Sequence, residues 1–301
     1  MSTCPPACAE GFACDESSGL CVSNALPAWT APAPSRALEL QPTDDGVFLT
    51  ALDNETRSVL VGRHGQEDVW EHLRDLSTNV QADAQHVGID ALGSRTGIVW
   101  LGSGGAFELA TRADASTAWT VESVTLEEEY APTDDFDFIY SQDARPHIVF
   151  RDRAQRSLRL LTREGQDAPW VLSTLDDGQE AGTIECPQST RDQRRLGLGH
   201  EPDLLRLQTT PGLAVAYHDA DCGDLRLARR PEGSASWTIT VVDGRDDLAN
   251  PGTLLVGRFP SLAEDSLGNL GIAYQDLSRA RLLFASSRGD SGVSRAAVEP
   301  D

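Results

Sequence analysis

Residues 260–276, PSLAEDSLGNLGIAYQD, read as an apolar strand, a turn punctuated by Gly268 and Asn269, and a second apolar strand that stops at Asp276. The second half of that stretch recurs along the chain. FLTALD (48–53), HIVFRD (147–152) and LAVAYHD (213–219) end an apolar run at an aspartate as GIAYQD (271–276) does, and GIVWLG (97–102) has Gly102 in that place. Six and eight residues later stands an apolar pair: Val59/Val61, Leu158/Leu160, Leu225/Leu227 and Leu282/Phe284. The Gly102 copy is weaker, with Glu108 and Ala110. A tryptophan follows, seventeen or eighteen residues after the aspartate position, at Trp70, Trp119, Trp170 and Trp237; the last copy offers Val293 or Ser294 there. Their fixed register marks these tryptophans, and Trp100 at the place of Tyr217 and Tyr274, as packing residues.

Each unit thus reads as four short strands over roughly 50 residues, and five units begin near residues 37, 86, 136, 202 and 260. Alternating apolar positions predict an all-β chain, and repeats of that length predict a β-propeller of five four-stranded blades. The units resemble the β-propeller repeats of exported bacterial proteins, on the pattern P-S-L-A-x-D-x-x-G-x-x-x-I-A-Y-x-D, then L-x-x-A, then W-x-x-x-x-V-D. The resemblance spans residues 37–301 and is strongest in the last two units. It implies a fold and no activity, since propellers host lectins, hydrolases and scaffolds alike. The last unit lacks its tryptophan while Trp29 precedes the first, so the Trp29 segment is a candidate to close the last blade.

Ahead of the repeats, residues 1–24 form a cysteine-rich module with Cys4, Cys8, Cys14 and Cys21. So short a segment cannot bury a core, and two disulfides among three connectivities are expected to staple it. It resembles the short EGF-like or Dickkopf-like segments that begin exported bacterial proteins, often just after a lipid-anchoring cysteine. Residues 25–36 read as an Ala/Pro-rich linker. The six cysteines point to an oxidising compartment: extracellular, periplasmic or cell-surface, with a leader or anchor missing ahead of Met1.

The 301 residues carry 47 acidic and 25 basic side chains, a formal charge of −22, and every basic residue is arginine. That balance argues against nucleic acid and against adsorption to anionic lipid. No apolar run is long enough to insert as a membrane helix. Divalent cations stay open, and the aspartates Asp219, Asp221 and Asp224 are a candidate calcium set, although their spacing is not that of an EF-hand. Hairpin aspartates that cap their own turn are the competing reading.

In a propeller the turn from strand two to strand three and the link into the next blade share one face. That arrangement gathers Asp53, Asp152, Asp219 and Asp276 on one rim, with Arg36, His86, Asp134, Asp135, His200, Glu201 and Arg258 just before the first strands. Arg36, His86, Asp134, Asp135, Asp152, His200, Glu201 and Arg258 are therefore the ligand-binding candidates. His147 and His218 are expected near the same turns. Long links at 125–135, 175–201 and 243–259 reach this face, where function concentrates. The same topology brings Cys186 and Cys222 together, so a disulfide between them is expected.

Non-enzymatic binding of a carbohydrate or a surface protein through this loop-rich face follows as the expected role. A glycosidase-like hydrolase using rim carboxylates is the alternative, for which two carboxyl groups must flank the substrate. A self-assembling structural subunit of a surface assembly is the third. GDSG (289–292), RGD (288–290) and LGLGH (196–200) lack the context their matches require.

Overall fold

The computed structural model describes residues 12–15, 20–23, 35–43, 46–53, 58–64, 69–72, 86–102, 104–114, 117–127, 129–165, 168–178, 197–244, 255–287 and 293–298. The chain divides into two compact units, Met1–Ser35 and Arg36–Asp301. In the first, β1 (Phe12–Asp15) and β2 (Leu20–Ser23) form an antiparallel hairpin that sets Cys14 opposite Cys21.

The second unit holds five four-stranded antiparallel sheets among the described residues. Sheet 1 comprises β3 (Ser35–Thr43), β4 (Gly46–Asp53), β5 (Ser58–His64) and β6 (Val69–His72). Sheet 2 follows with β7 (Val87–Leu92), β8 (Arg95–Leu101), β9 (Phe107–Arg112) and β10 (Thr120–Val124). Sheet 3 has β11 (Pro132–Tyr140), β12 (Pro146–Asp152), β13 (Ser157–Thr162) and β14 (Val171–Asp176). Sheet 4 has β15 (His200–Leu207), β16 (Gly212–Asp219), β17 (Asp224–Pro231) and β18 (Thr238–Asp243). Sheet 5 closes the series with β19 (Val256–Glu264), β20 (Leu270–Asp276), β21 (Arg281–Ser287) and β22 (Val293–Ala297). The fourth strand of the last sheet is thus the chain's own C-terminal segment; Trp29 lies outside the described residues.

The central strands read as unbroken apolar runs because both of their faces are buried. In β8, Ile98 and Trp100 join Phe48, Val59 and Val61 of sheet 1, whereas Val99 and Leu101 join Phe136, Phe138 and Phe150 of sheet 3. Leu158 and Leu160 likewise meet Leu204, Val215 and Tyr217 of sheet 4, and Leu225 and Leu227 meet Val256, Leu262 and Tyr274 of sheet 5. The core is therefore a series of layers between successive sheets, each buried Leu or Phe stabilising by about 1.5–3 kcal/mol. Leu282 and Phe284, the apolar pair of the last unit, are 38% and 41% exposed, unlike Leu158/Leu160 and Leu225/Leu227.

Side chains also tie one sheet to the backbone of the next. Asp90 accepts the Tyr140 N–H at 2.6 Å, Asp137 accepts the Leu204 N–H at 2.6 Å, and Asp203 accepts the Leu262 N–H. The Tyr217 hydroxyl donates to Asp176 at 2.5 Å, and that of Tyr274 to Asp243 at 2.6 Å. Both aspartates end the fourth strand of the preceding sheet, which gives the W-x-x-x-x-V-D pattern a physical role. Gly97 is needed for close approach: a Cβ there would stand 2.5 Å from the Tyr140 hydroxyl and 2.8 Å from the Phe138 ring.

Candidate functional site

Every recurring aspartate sits at the end of its sheet's second strand, paired across a turn of one length: Asp53 with Ser58, Asp152 with Ser157, Asp219 with Asp224 and Asp276 with Arg281. Asp152 accepts the N–H groups of Ala131 and Ala154 at 3.0 Å and of Gln155 at 3.3 Å. Asp219 accepts those of Asp221 and Cys222, and Asp276 that of Arg279. Asp152 is 0% exposed, so this ligand candidate is instead a turn cap out of reach of solutes.

Around the start of the first strands, four other candidates form one network. The Arg258 Nε donates to both Glu201 oxygens at 3.0 and 2.9 Å, and its Nη2 reaches the same carboxylate. Glu201 Oε2 also accepts the Phe259 N–H at 2.7 Å. Next to them Asp135 lies 3.4 Å from His200 Nδ1 and 3.6 Å from Arg151, and accepts the Glu201 N–H at 3.2 Å. Burial opposes the charge on Asp135, but His200, the Glu201 N–H and Arg151 outweigh it and hold its pKa below the usual carboxylate range. His218 stands 6.2 Å from His200, ring to ring, with its Nδ1 2.8 Å from the Val256 carbonyl oxygen. Burial, then Arg258, lowers the His218 pKa to about 4, so its ring is neutral near pH 7. His86 is half-buried, edge-on to Phe136 at 4.7 Å, and desolvation likewise lowers its pKa to about 4. Asp134 is half-buried on β11. The Arg36 side chain lies outside what is described.

The backbone is bent at this place in two sheets. Glu201 and Phe259 hold φ of 52° and 49°, and each precedes a proline in its first strand. Register shifts follow in both, between His200 and Asp203 and between Arg258 and Ser261. Such left-handed non-glycine residues carry strain of about 1–3 kcal/mol. The bend leaves Phe259 56% exposed, with the Arg258 guanidinium 5.2 Å from its ring centre.

At the 219–224 turn, Asp221 accepts the Gly197 N–H at 3.1 Å, and the Ala220 N–H reaches the Gly197 carbonyl, so the end of the long link is tied to the turn. Cys222 is disulfide-bonded. Cys186, Cys4 and Cys8 lie outside the described residues. The ligand atoms of Asp219, Cys222 and Asp224 come within 4.8 Å of one another, a set that omits Asp221. Arg226 pairs with Asp219 on one side and with Asp176 at 2.9 Å on the other. A calcium ion at Asp219, Asp221 and Asp224 would have to compete with these partners.

His147 departs from expectation. It pairs with Thr162 at the start of β12, at the end of the sheet away from Asp152. That opposite end also carries a feature the repeat analysis passed over: Arg112, Arg163 and Arg230 lie on Trp119, Trp170 and Trp237, with guanidinium carbons 4.5, 4.9 and 4.8 Å from the ring centres. The signal was an arginine seven residues before each tryptophan, present also as Arg63 and Trp70.

Among solved structures, the lectin of Aleuria aurantia in complex with α-methyl-L-fucoside superposes with a TM-score of 0.56 at 15% identity, covering 88% of this chain and 78% of that one. Another structure of that fungal lectin, described as a six-bladed β-propeller, matches at 13% identity and TM-score 0.56, with 88% and 78% covered. The fold is a β-propeller. AofleA from Arthrobotrys oligospora superposes on the same propeller at 10% identity and TM-score 0.55, over 88% of this chain and 71% of that one. At these identities the likeness is one of fold. No family model and no curated protein matches the chain. Each described four-stranded sheet is a blade, numbered here as its sheet, and the network of Asp135, His200, Glu201 and Arg258 lies at the mouth where blades 3, 4 and 5 begin.

Proposed function

We propose that the protein is a non-enzymatic saccharide-binding protein, and that the sugar sits against Glu201, Arg258 and Phe259. The observation that carries this reading is the unit those three residues form. A carboxylate and a guanidinium held side by side present acceptors and donors at fixed spacing, which suits adjacent sugar hydroxyls. The exposed ring of Phe259 beside them offers an apolar face for a pyranose. Backbone strain at Glu201 and Phe259 favours a functional role over a packing one. The Aleuria aurantia lectin, whose complex with α-methyl-L-fucoside shares this fold, supports the class of ligand.

A hydrolase would need a carboxylic acid that keeps its proton near neutral pH at this mouth. Asp135 is held below the usual range and does not supply one. Burial raises the pKa of Asp203, two residues beyond Glu201, to about 6 while it accepts the Leu262 N–H, so turnover is the test that separates the two readings. The disulfide at Cys222 supports export to an oxidising compartment.

Glycan-array binding by the full chain tests the reading. The Glu201→Ala, Arg258→Ala double variant should lose saccharide binding while keeping its melting temperature within a few degrees. Turnover on a glycoside panel, lost with the same variant, would replace the reading by the enzymatic one.

A further inference from the structure

On the opposite face, at the far ends of the strands, a cleft of about 410 Å³ opens between blades 2 and 3. Four arginines line it, Arg95, Arg112, Arg145 and Arg163, against two acidic side chains, Asp143 and Glu164. In a chain of 25 basic and 47 acidic residues this is a local reversal of sign. Arg145 is held by Asp143 and Glu164 at 2.5 and 2.7 Å, and Arg163 by Glu122 at 2.8 Å. Arg112 lies between the rings of Trp119 and Phe48. Arg95 differs from them: among the described residues it makes no hydrogen bond or ion pair, and its guanidinium carbon stands 6.0 Å from the centre of the Tyr140 ring. Tyr140 lines the same cleft at 1% exposure, and its hydroxyl has no hydrogen-bond partner among the described residues. A buried hydroxyl without a partner beside a guanidinium without an acid is costly to keep unless a ligand or water completes both.

We propose that this cleft binds an acidic saccharide, whose carboxylate or sulfate pairs with Arg95. A guanidinium matches either anion in planar, two-pronged fashion. The cleft between blades 3 and 4, about 440 Å³, supplies an internal control. It is lined by Arg145 and Arg230 against Asp143, Glu164 and Glu232, so its sign is not reversed and it is not expected to prefer an anion. The saccharide half of this inference rests on the binding function proposed above; the anion half stands on the cleft itself.

The test is calorimetric titration of the full chain at low salt with galacturonate, galactose 6-sulfate, galactose and inorganic sulfate. Both acidic sugars should bind at least about tenfold more tightly than galactose, the equivalent of one charged hydrogen bond. Inorganic sulfate should compete with them. Arg95→Gln should abolish the preference and leave the melting temperature within a few degrees, because Arg95 makes no hydrogen bond or ion pair among the described residues, and Arg95→Lys should retain part of it. Arg258→Gln, on the far face, should leave it intact, which separates failure here from failure at the mouth. Equal binding of galactose, or an undiminished preference in Arg95→Gln, overturns the proposal. Binding of sulfate without either acidic sugar overturns its saccharide half.

Discussion

Arg226 shows how much rests on single residues between blades. It is buried and bridges Asp219 and Asp176, and Asp176 in turn accepts the Tyr217 hydroxyl. Arg226→Met would leave two buried carboxylates without their cation, and the expected loss is about 3–5 kcal/mol. Urea unfolding measures it; a loss below about 1 kcal/mol, the scale of an exposed pair, would contradict the bridge. His147 offers a pH test. It is buried beside Arg230 and Arg145, with Asp143 nearby, and burial followed by Arg230 lowers its pKa to about 4. An unfolded histidine takes up its proton near pH 6.5. Between those values the unfolded chain binds the extra proton, so this residue's contribution to stability falls as pH falls. The stability difference between wild type and His147→Gln should move in the variant's favour from pH 7 to pH 4.5. A difference that does not change with pH would show that His147 is already solvated. Asp152 makes a different point at this scale. Its position at a turn was legible in the repeat, but its total burial was not, because that depends on Ala131 reaching it from the preceding link.

Strands and turns were the most legible elements. Period-two alternation, the aspartate that stops each second strand and the spacing to the tryptophan all follow from local chemistry, and the paired registers reproduce them. What connects the strands was harder to read. The Tyr217–Asp176 and Tyr274–Asp243 bonds join residues far apart in sequence, and only the stacking of one blade on the next brings them together. Tyr274→Phe should cost about 1–3 kcal/mol by leaving a buried acceptor short of a donor, without loss of strand content by circular dichroism. An unchanged denaturation midpoint would assign that tyrosine to packing alone. Leu282 and Phe284 follow the same sequence pattern as Leu158 and Leu160 yet stay partly exposed, since an apolar pattern states which face seeks cover and not whether cover is present. His147 was misplaced for a related reason: it begins the strand whose other end carries Asp152.

At the scale of the whole molecule, repetition made the propeller legible, and five four-stranded sheets among the described residues follow the five units read along the chain. The mouth was legible in part. Topology alone gathered Asp135, His200, Glu201 and Arg258, but Arg151, Phe259 and the left-handed bends at Glu201 and Phe259 came only with the structure. A first strand that bends before its proline has no sequence mark beyond the proline itself, and the same dipeptide fits ordinary extended chain. The acidic composition, a property of the entire surface, gave no sign of the arginine-lined cleft between blades 2 and 3. The central claim is that saccharide is held at the mouth by Glu201, Arg258 and Phe259. A crystal structure of the full chain soaked with the best array ligand tests it most directly. The account predicts sugar density with a ring face on Phe259 and hydroxyls within hydrogen-bond distance of Arg258 and Glu201; a mouth holding only solvent, with the sugar bound elsewhere, would contradict it.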